Sequence, residues 1–194
     1  MDSRGEVGNL LAGSFVLFSC EGAAEGVVIQ TLFDADRLVV PRERVVVDPV
    51  QYTPYTRLRK AGDIAARFFG TSYEGLGASG LMLARIVDSR AGKFVLPRRW
   101  HDSAVVESFF TRPEIEMLVI HAEGAYGQWL RASRRDRQLR PSEFCKGELR
   151  FPQVKESSFL KNYWQGDKLV AAIQAYDEHR RHVGDELSLG DLLA

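Results

Sequence analysis

An α/β fold, with a mostly parallel four-stranded sheet flanked by helices and a helical C-terminal extension, is the architecture that this sequence of 194 residues predicts. Three observations carry that reading. Apolar runs such as FVLFSC at 15–20 and LMLARIV at 81–87 show little polar alternation, as strands buried on both faces do. Three of the predicted strands stop at an acid: Glu21, Asp48 and Asp88. The segments between them change from extended to helical spacing, giving strand, turn, helix units.

The first strand is 15–20, and Gly22 lets the chain turn tightly behind it. Val28, Thr31, Leu32 and Ala35 recur at helical spacing, so 23–36 is a helix. A second strand at 44–47 ends at Asp48-Pro49, because proline stops further pairing. A helix follows near 57–69, with Ile64 and Phe68 on one face, and the glycines of 70–80 mark a loop. Strands three and four are 81–87 and 104–110, with 92–97 either a loop or an edge strand. Thr111-Arg112-Pro113-Glu114 has the composition of a capping box with proline in the first turn, which predicts a helix from there to about 123. The arginine-rich stretch 131–140 interrupts the regular pattern, and 159–164 is a short helix. Asp167 caps a last helix running to about 181, in which Leu169, Val170, Ile173 and Tyr176 form an apolar stripe. The tail at 187–193 either docks or frays. The domain reading is therefore 1–125 as the α/β unit and 126–194 as a basic segment and helical extension packed on it.

Hydrophobic residues at 45% and charged residues at 27% define a globular chain. No apolar run reaches the ~18 residues of a membrane span, and the N-terminus lacks a signal-peptide core, so the expected location is cytoplasmic with no membrane partner. Cys20 and Cys145 do not make a disulfide scaffold; they read as strand filler and a loop thiol. No P-loop is present, so any ATPase is a separate chain. Net charge is zero, but residues 131–150 hold seven basic side chains against three acids. Such a patch fits phosphate contact and equally a solvated loop. Arg134, Arg135 and Arg137 are the nucleic-acid contact candidates there. Arg98 and Arg99 beside Trp100 form a second, because an aromatic among cations can stack on an unpaired base; His101 is a candidate phosphate contact.

Parallel sheets gather functional groups at the C-terminal ends of their strands. Glu21 stands at such an end, and Glu25 follows one helical turn later, although an acid in a first helical turn is also favoured by the helix dipole alone. Right-handed crossovers would put Glu21, Asp48 and Asp88 on one rim. Magnesium takes hard oxygen ligands, usually one or two carboxylates plus waters and substrate phosphate. Glu21, Glu25 and Asp88 are the candidate ligands for Mg2+ or Mn2+, which would polarise a phosphodiester or activate water.

FSCEGAAE at 18–25, RIVDSR at 85–90 and RPEIEMLVIH at 112–121, in this order, resemble the Toprim domain of topoisomerases, primases and OLD-type nucleases. The nearer resemblance is to small bacterial Toprim-like proteins of the RloB type and covers about residues 14–125. It implies a Toprim-like, Rossmann-like sheet and metal-dependent cleavage of DNA or RNA in phage defence, regulated by a partner. It also implies catalytic roles for Glu21 and Asp88, a role for Glu25 either behind the metal ligands or at a second ion, and matching positions at Pro113, Glu116 and His121. Glu116 would support the acidic rim; His121 lies roughly 140° around the same helix and is no dyad partner for it. One position departs from the family. Asp-x-Asp is expected at the end of the third strand, and here the residues are Asp88-Ser89-Arg90. Beside a phosphate, Arg90 would clamp oxygens and act in catalysis. Against the acids it would neutralise them, leaving a catalytically degenerate nucleic-acid-binding or interaction subunit. Asp48, on the same predicted rim, is the conjectural substitute for the missing second aspartate in the metal-binding reading; as a plain alternative it is a turn residue that ends a strand. A third reading is an assembly protein that docks through its last helix, and a homo-oligomer fits any of the three.

Overall fold

The computed structural model describes residues 3–88, 94–180 and 186–194. Its strands are β1 (Phe15–Cys20), β2 (Tyr55–Thr56), the hairpin pair β3 (Glu74–Gly75) and β4 (Ala78–Ser79), β5 (Leu81–Val87), β6 (Ala104–Phe110) and β7 (Leu187–Ser188). Apart from the antiparallel hairpin, these form a five-stranded sheet in the order β2-β1-β5-β6-β7, with every pairing parallel. The helices are α1 (Ser3–Gly13), α2 (Ala23–Asp34), α3 (Ala61–Phe68), α4 (Met117–Ala122), α5 (Tyr126–Arg135), α6 (Pro141–Gly147), α7 (Ser157–Tyr163) and α8 (Gly166–His179). None of the described helices is long and apolar enough to cross a membrane.

The apolar runs alternate between two faces, as the period of a strand requires. Val16, Phe18 and Cys20 of β1 and Met82, Ala84 and Ile86 of β5 join the larger core, with residues of α1, α2, α4 and α8. Leu17, Leu81 and Leu83 enter a smaller core with Ile64 and Phe68 of α3. Burial on both sides explains the missing polar alternation. Full burial of Phe18 and Phe109 contributes about 1.5–3 kcal/mol each.

Strands one, three and four of the sequence reading fall at β1, β5 and β6. The second does not. Residues 42–44 form a 3-10 turn after Pro41, which leaves 44–47 with a single bridge, Val45 to Val16. β2, two residues long, pairs with β1 instead. Tyr55 packs over Gly26 of α2, where an added Cβ would lie 2.5 Å from the ring. That close approach needs glycine.

The capping box at 111–114 is also corrected. The Arg112-Pro113 peptide is cis, and α4 begins at Met117 after Glu116. Glu114 instead accepts the Ser142 N–H at 3.0 Å, at the start of α6. The helix α5 enters the arginine-rich stretch and ends within it at Arg135, and its exposed arginine face concealed its few apolar positions. Asp167 caps nothing; it pairs with Arg37 at 2.6 Å, and Gln165 holds the N-cap position of α8. Cys145 is buried in α6, with its pKa raised to about 12 chiefly by burial, so it is not a loop thiol. The tail supplies β7, which pairs with β6. Residues beyond 125 therefore complete the sheet, and Leu169 and Ile173 of α8 are fully buried in its core.

Candidate functional site

β1 and β5 run side by side in register from Phe15 with Leu81 to Cys20 with Ile86. That pairing carries Glu21 and Asp88 out of the sheet at the same rim. The Glu21 N–H donates to the Ile86 carbonyl at 3.1 Å, and the Asp88 N–H donates to Glu21 Oε2 at 3.3 Å. Glu21 thus meets the next strand through backbone and side chain together.

Glu25 sits in the first turn of α2 and is buried. An added Cβ at Gly22 would lie 2.7 Å from Glu25 Oε2, so glycine at this turn admits the carboxyl group. Burial raises the Glu25 pKa, its own backbone N–H opposes the rise, and the charges of Asp88 and Glu21 add to it. Three acids of the sequence reading therefore share one electrostatic neighbourhood. Glu116 extends it: burial raises its pKa, and the charge of Glu25 contributes. Lys155 Nζ approaches Glu116 Oε1 at 3.9 Å and Glu114 Oε1 at 3.6 Å.

Among the described residues, no three His, Cys, Asp or Glu side chains converge on one metal position. A magnesium site needs only one or two protein carboxylates, so the donors fit in chemistry and in number. Like charges gathered at a strand end suit a divalent cation. Arg85 lies beside them; its charge reaches Glu21, and its guanidinium stacks 4.2 Å over Phe94 and donates to Ser108 Oγ at 3.3 Å. The sequence reading assigned Arg85 nothing, although it lies within the RIVDSR segment. Its position three residues before Asp88 was the available signal.

Asp48 has partners of its own. It is fully buried, accepts the N–H groups of Val50 at 2.9 Å and Gln51 at 3.2 Å, and pairs with Arg67 Nη1 at 3.2 Å. Burial alone would raise its pKa, but the Thr56 hydroxyl, the two N–H groups and Arg67 outweigh it and hold the value low. These contacts anchor the 48–53 turn and engage the Asp48 carboxylate. Arg90 lies outside the described residues.

Of the cationic candidates, Arg98 and Arg99 fall in a 3-10 turn four residues before β6 begins. The crossover has by then returned to the start of the strands, away from the acids. Arg99 lies 5.3 Å from the Trp100 ring centre, and Trp100 packs edge-on against Phe69 at 5.7 Å, so the ring is anchored rather than presented. Arg134 and Arg135 are exposed in the last turn of α5, with Arg137 just beyond. His121 is half-buried and stacked on Tyr126 at 4.7 Å. No family model, curated protein or solved structure matches the chain.

Proposed function

We propose that this chain is a Toprim-type, divalent-metal-dependent nuclease that cleaves phosphodiester bonds in DNA or RNA. The observation that carries the reading is the meeting of Glu21 and Asp88 across paired parallel strands, with buried Glu25 beside them. Glu21 and Asp88 would hold Mg2+ or Mn2+, and Glu25 would supply a further oxygen or a second ion's ligand. Bound there, the ion would polarise the scissile phosphate and lower the pKa of an attacking water. The protein's own contribution is order and charge. The Asp88 N–H fixes the Glu21 carboxylate, and Gly22 leaves room for Glu25. Arg85 holds positive charge near the phosphate's expected position.

The experiment is cleavage of single-stranded and duplex DNA and RNA with Mg2+ or Mn2+, comparing wild type with Glu21→Gln and Asp88→Asn. Loss of cutting by roughly a hundredfold or more in both folded variants is expected. Cutting that survives both substitutions removes the reading. No cutting, together with no divalent-ion binding in calorimetry, favours the degenerate binding subunit. An ATPase partner and phage-defence role follow from the resemblance alone and are tested separately, by co-purification.

A further inference from the structure

A second concave site lies further along the same rim of the sheet. Between the end of β6, α4, α5 and α8 is a cavity of about 280 Å³, at the small end of ligand pockets and suited to one small molecule. Its cationic wall is Arg112 and Arg180; its opposite charge is Glu186. Arg112 Nη2 lies 2.9 Å from Glu186 Oε1 without the alignment of a hydrogen bond, and Arg180 Nη2 donates to the Glu186 carbonyl at 2.6 Å. Among the described lining residues, two guanidinium groups therefore stand against one carboxylate, which faces Arg112, while Arg180 meets the backbone of the same residue. Arg112 Nε, Arg180 Nη1 and His121 Nε2 are buried nitrogens with no hydrogen-bond partner among the described residues. Buried donors are seldom left unmade, so two guanidinium N–H groups at one cavity, with a ring nitrogen beside them, indicate a missing polar partner.

The rest of the wall is aromatic. His121 stacks on Tyr126, and His179 lies 4.4 Å from Tyr126 and 5.3 Å from His121. Trp129 and Phe110 line other parts, and the Arg112 guanidinium is held 4.6 Å over the Phe110 ring. Burial lowers the His121 pKa to about 4, leaving a neutral ring that can meet a polar edge. Flat apolar faces beside unused guanidinium donors suit a planar heterocycle carrying an anionic group.

We propose that this cavity binds one nucleoside monophosphate unit, its phosphate on Arg112 and Arg180 and its base against Tyr126, His121 and His179. Val87 pairs with Phe110, and the Thr111 N–H donates to the Val87 carbonyl at 3.0 Å. Arg112 thus leaves the sheet one strand over from Asp88, a spacing of about 4.8 Å between neighbouring strands. Resting on the nuclease reading, a strand whose terminal nucleotide fills the cavity would present its neighbouring phosphodiester to Glu21 and Asp88. The same chemistry is offered by a free nucleotide acting as a regulator.

The test is calorimetry on the full chain without divalent metal, using AMP, adenosine, inorganic phosphate and a short 5′-phosphorylated single strand. AMP is expected to bind at least about tenfold more tightly than adenosine or phosphate, and Arg112→Gln and Arg180→Gln to weaken it roughly tenfold or more. Arg112 pairs with Glu186, so His179→Ala serves as the second variant: an exposed side chain, expected to weaken AMP and adenosine alike without changing the melting temperature. Tighter binding of the strand than of AMP assigns the site to a strand end; equal or weaker binding assigns it to a free nucleotide. Millimolar or weaker binding of every probe overturns the proposal, as does AMP binding unchanged by all three substitutions. AMP binding without cleavage by the wild type removes the nuclease reading alone, and cleavage without AMP binding removes the pocket alone.

Discussion

Asp48→Asn separates an anchoring acid from a metal-binding one. The substitution keeps the size of the side chain and one carbonyl oxygen but removes the charge that Val50, Gln51 and Arg67 face. Breaking a fully buried ion pair costs about 3–5 kcal/mol. The Arg67 side chain is 30% exposed, so water takes over part of its charge and the pair's share falls below that range. Weakening two hydrogen bonds to a charged acceptor adds roughly 1 kcal/mol. The expected loss is about 3 kcal/mol, or roughly 6–12 °C in melting temperature for a chain of this length.

The pH dependence has a defined sign. Asp48 has a folded pKa below its ordinary 3.8. Its contribution is therefore complete above the unfolded pKa and is lost as pH falls through the lower folded value. Urea melts at pH 7 and pH 3 should show a wild-type advantage that is full at the first and reduced at the second. Metal-dependent cutting should survive Asp48→Asn at temperatures where the variant is folded. Equal stability at pH 7, or selective loss of cutting in a fully folded variant, would refute the anchoring role.

Gly22→Ala should leave stability within about 1 kcal/mol, because Gly22 has φ −130 and the group in the way is the free end of Glu25. It should still weaken magnesium binding several-fold by displacing that carboxyl; an unchanged affinity in calorimetry places Glu25 outside the site. The His121 ring should titrate near 4 by NMR, so acid stability should fall from about pH 6.5 downward, where the unfolded chain binds more protons. A midpoint near 6.5 contradicts its burial. Truncation after residue 186 removes Leu187, Leu189 and Leu192, which are 5%, 0% and 0% exposed. At about 1.5–3 kcal/mol each, the loss is of the order of a domain's whole stability, and circular dichroism should show an unfolded chain. A native melt after truncation would contradict the place of β7 in the sheet.

The sheet's centre was legible because burial on both faces writes itself as uninterrupted apolar runs. β1, β5 and β6 follow from that physics, and the adjacency of Glu21 and Asp88 follows from their parallel register. The edges were not legible. β2 and β7 are two residues each, too short for any periodicity, and are fixed by contacts from far along the chain, such as Tyr55 over Gly26. Residues 44–47 have strand-forming side chains, yet Pro41 leads into a 3-10 turn that leaves a single bridge. Asp48 shows the limit for site residues: its position after an apolar run matches that of Glu21, and only its partner Arg67, far along the chain, separates a ligand from an anchor. The cavity by Arg112 was illegible for the same reason, since its walls come from β6, α4, α5 and α8.

Carboxylates gathered at one strand end carry an energetic consequence that distinguishes the readings. Two unit charges 4 Å apart repel by about 4 kcal/mol in the effective dielectric of a protein's outer layers. Glu25 feels both Asp88 and Glu21 while buried, so the folded state carries strain that a cation would relieve. Sodium chloride acts by screening, which is weak for buried groups; a bound divalent ion acts by occupancy, with stabilisation of about 2.7 kcal/mol at a hundred times its dissociation constant. Magnesium should therefore raise the melting temperature by several degrees where sodium chloride of equal ionic strength does not. Asp88→Asn should lower the repulsion and so stabilise the chain without metal, while abolishing the magnesium increment. If the two salts act alike on the wild type, the acids are not a metal site, and the charge on Glu25 is relieved by protonation alone.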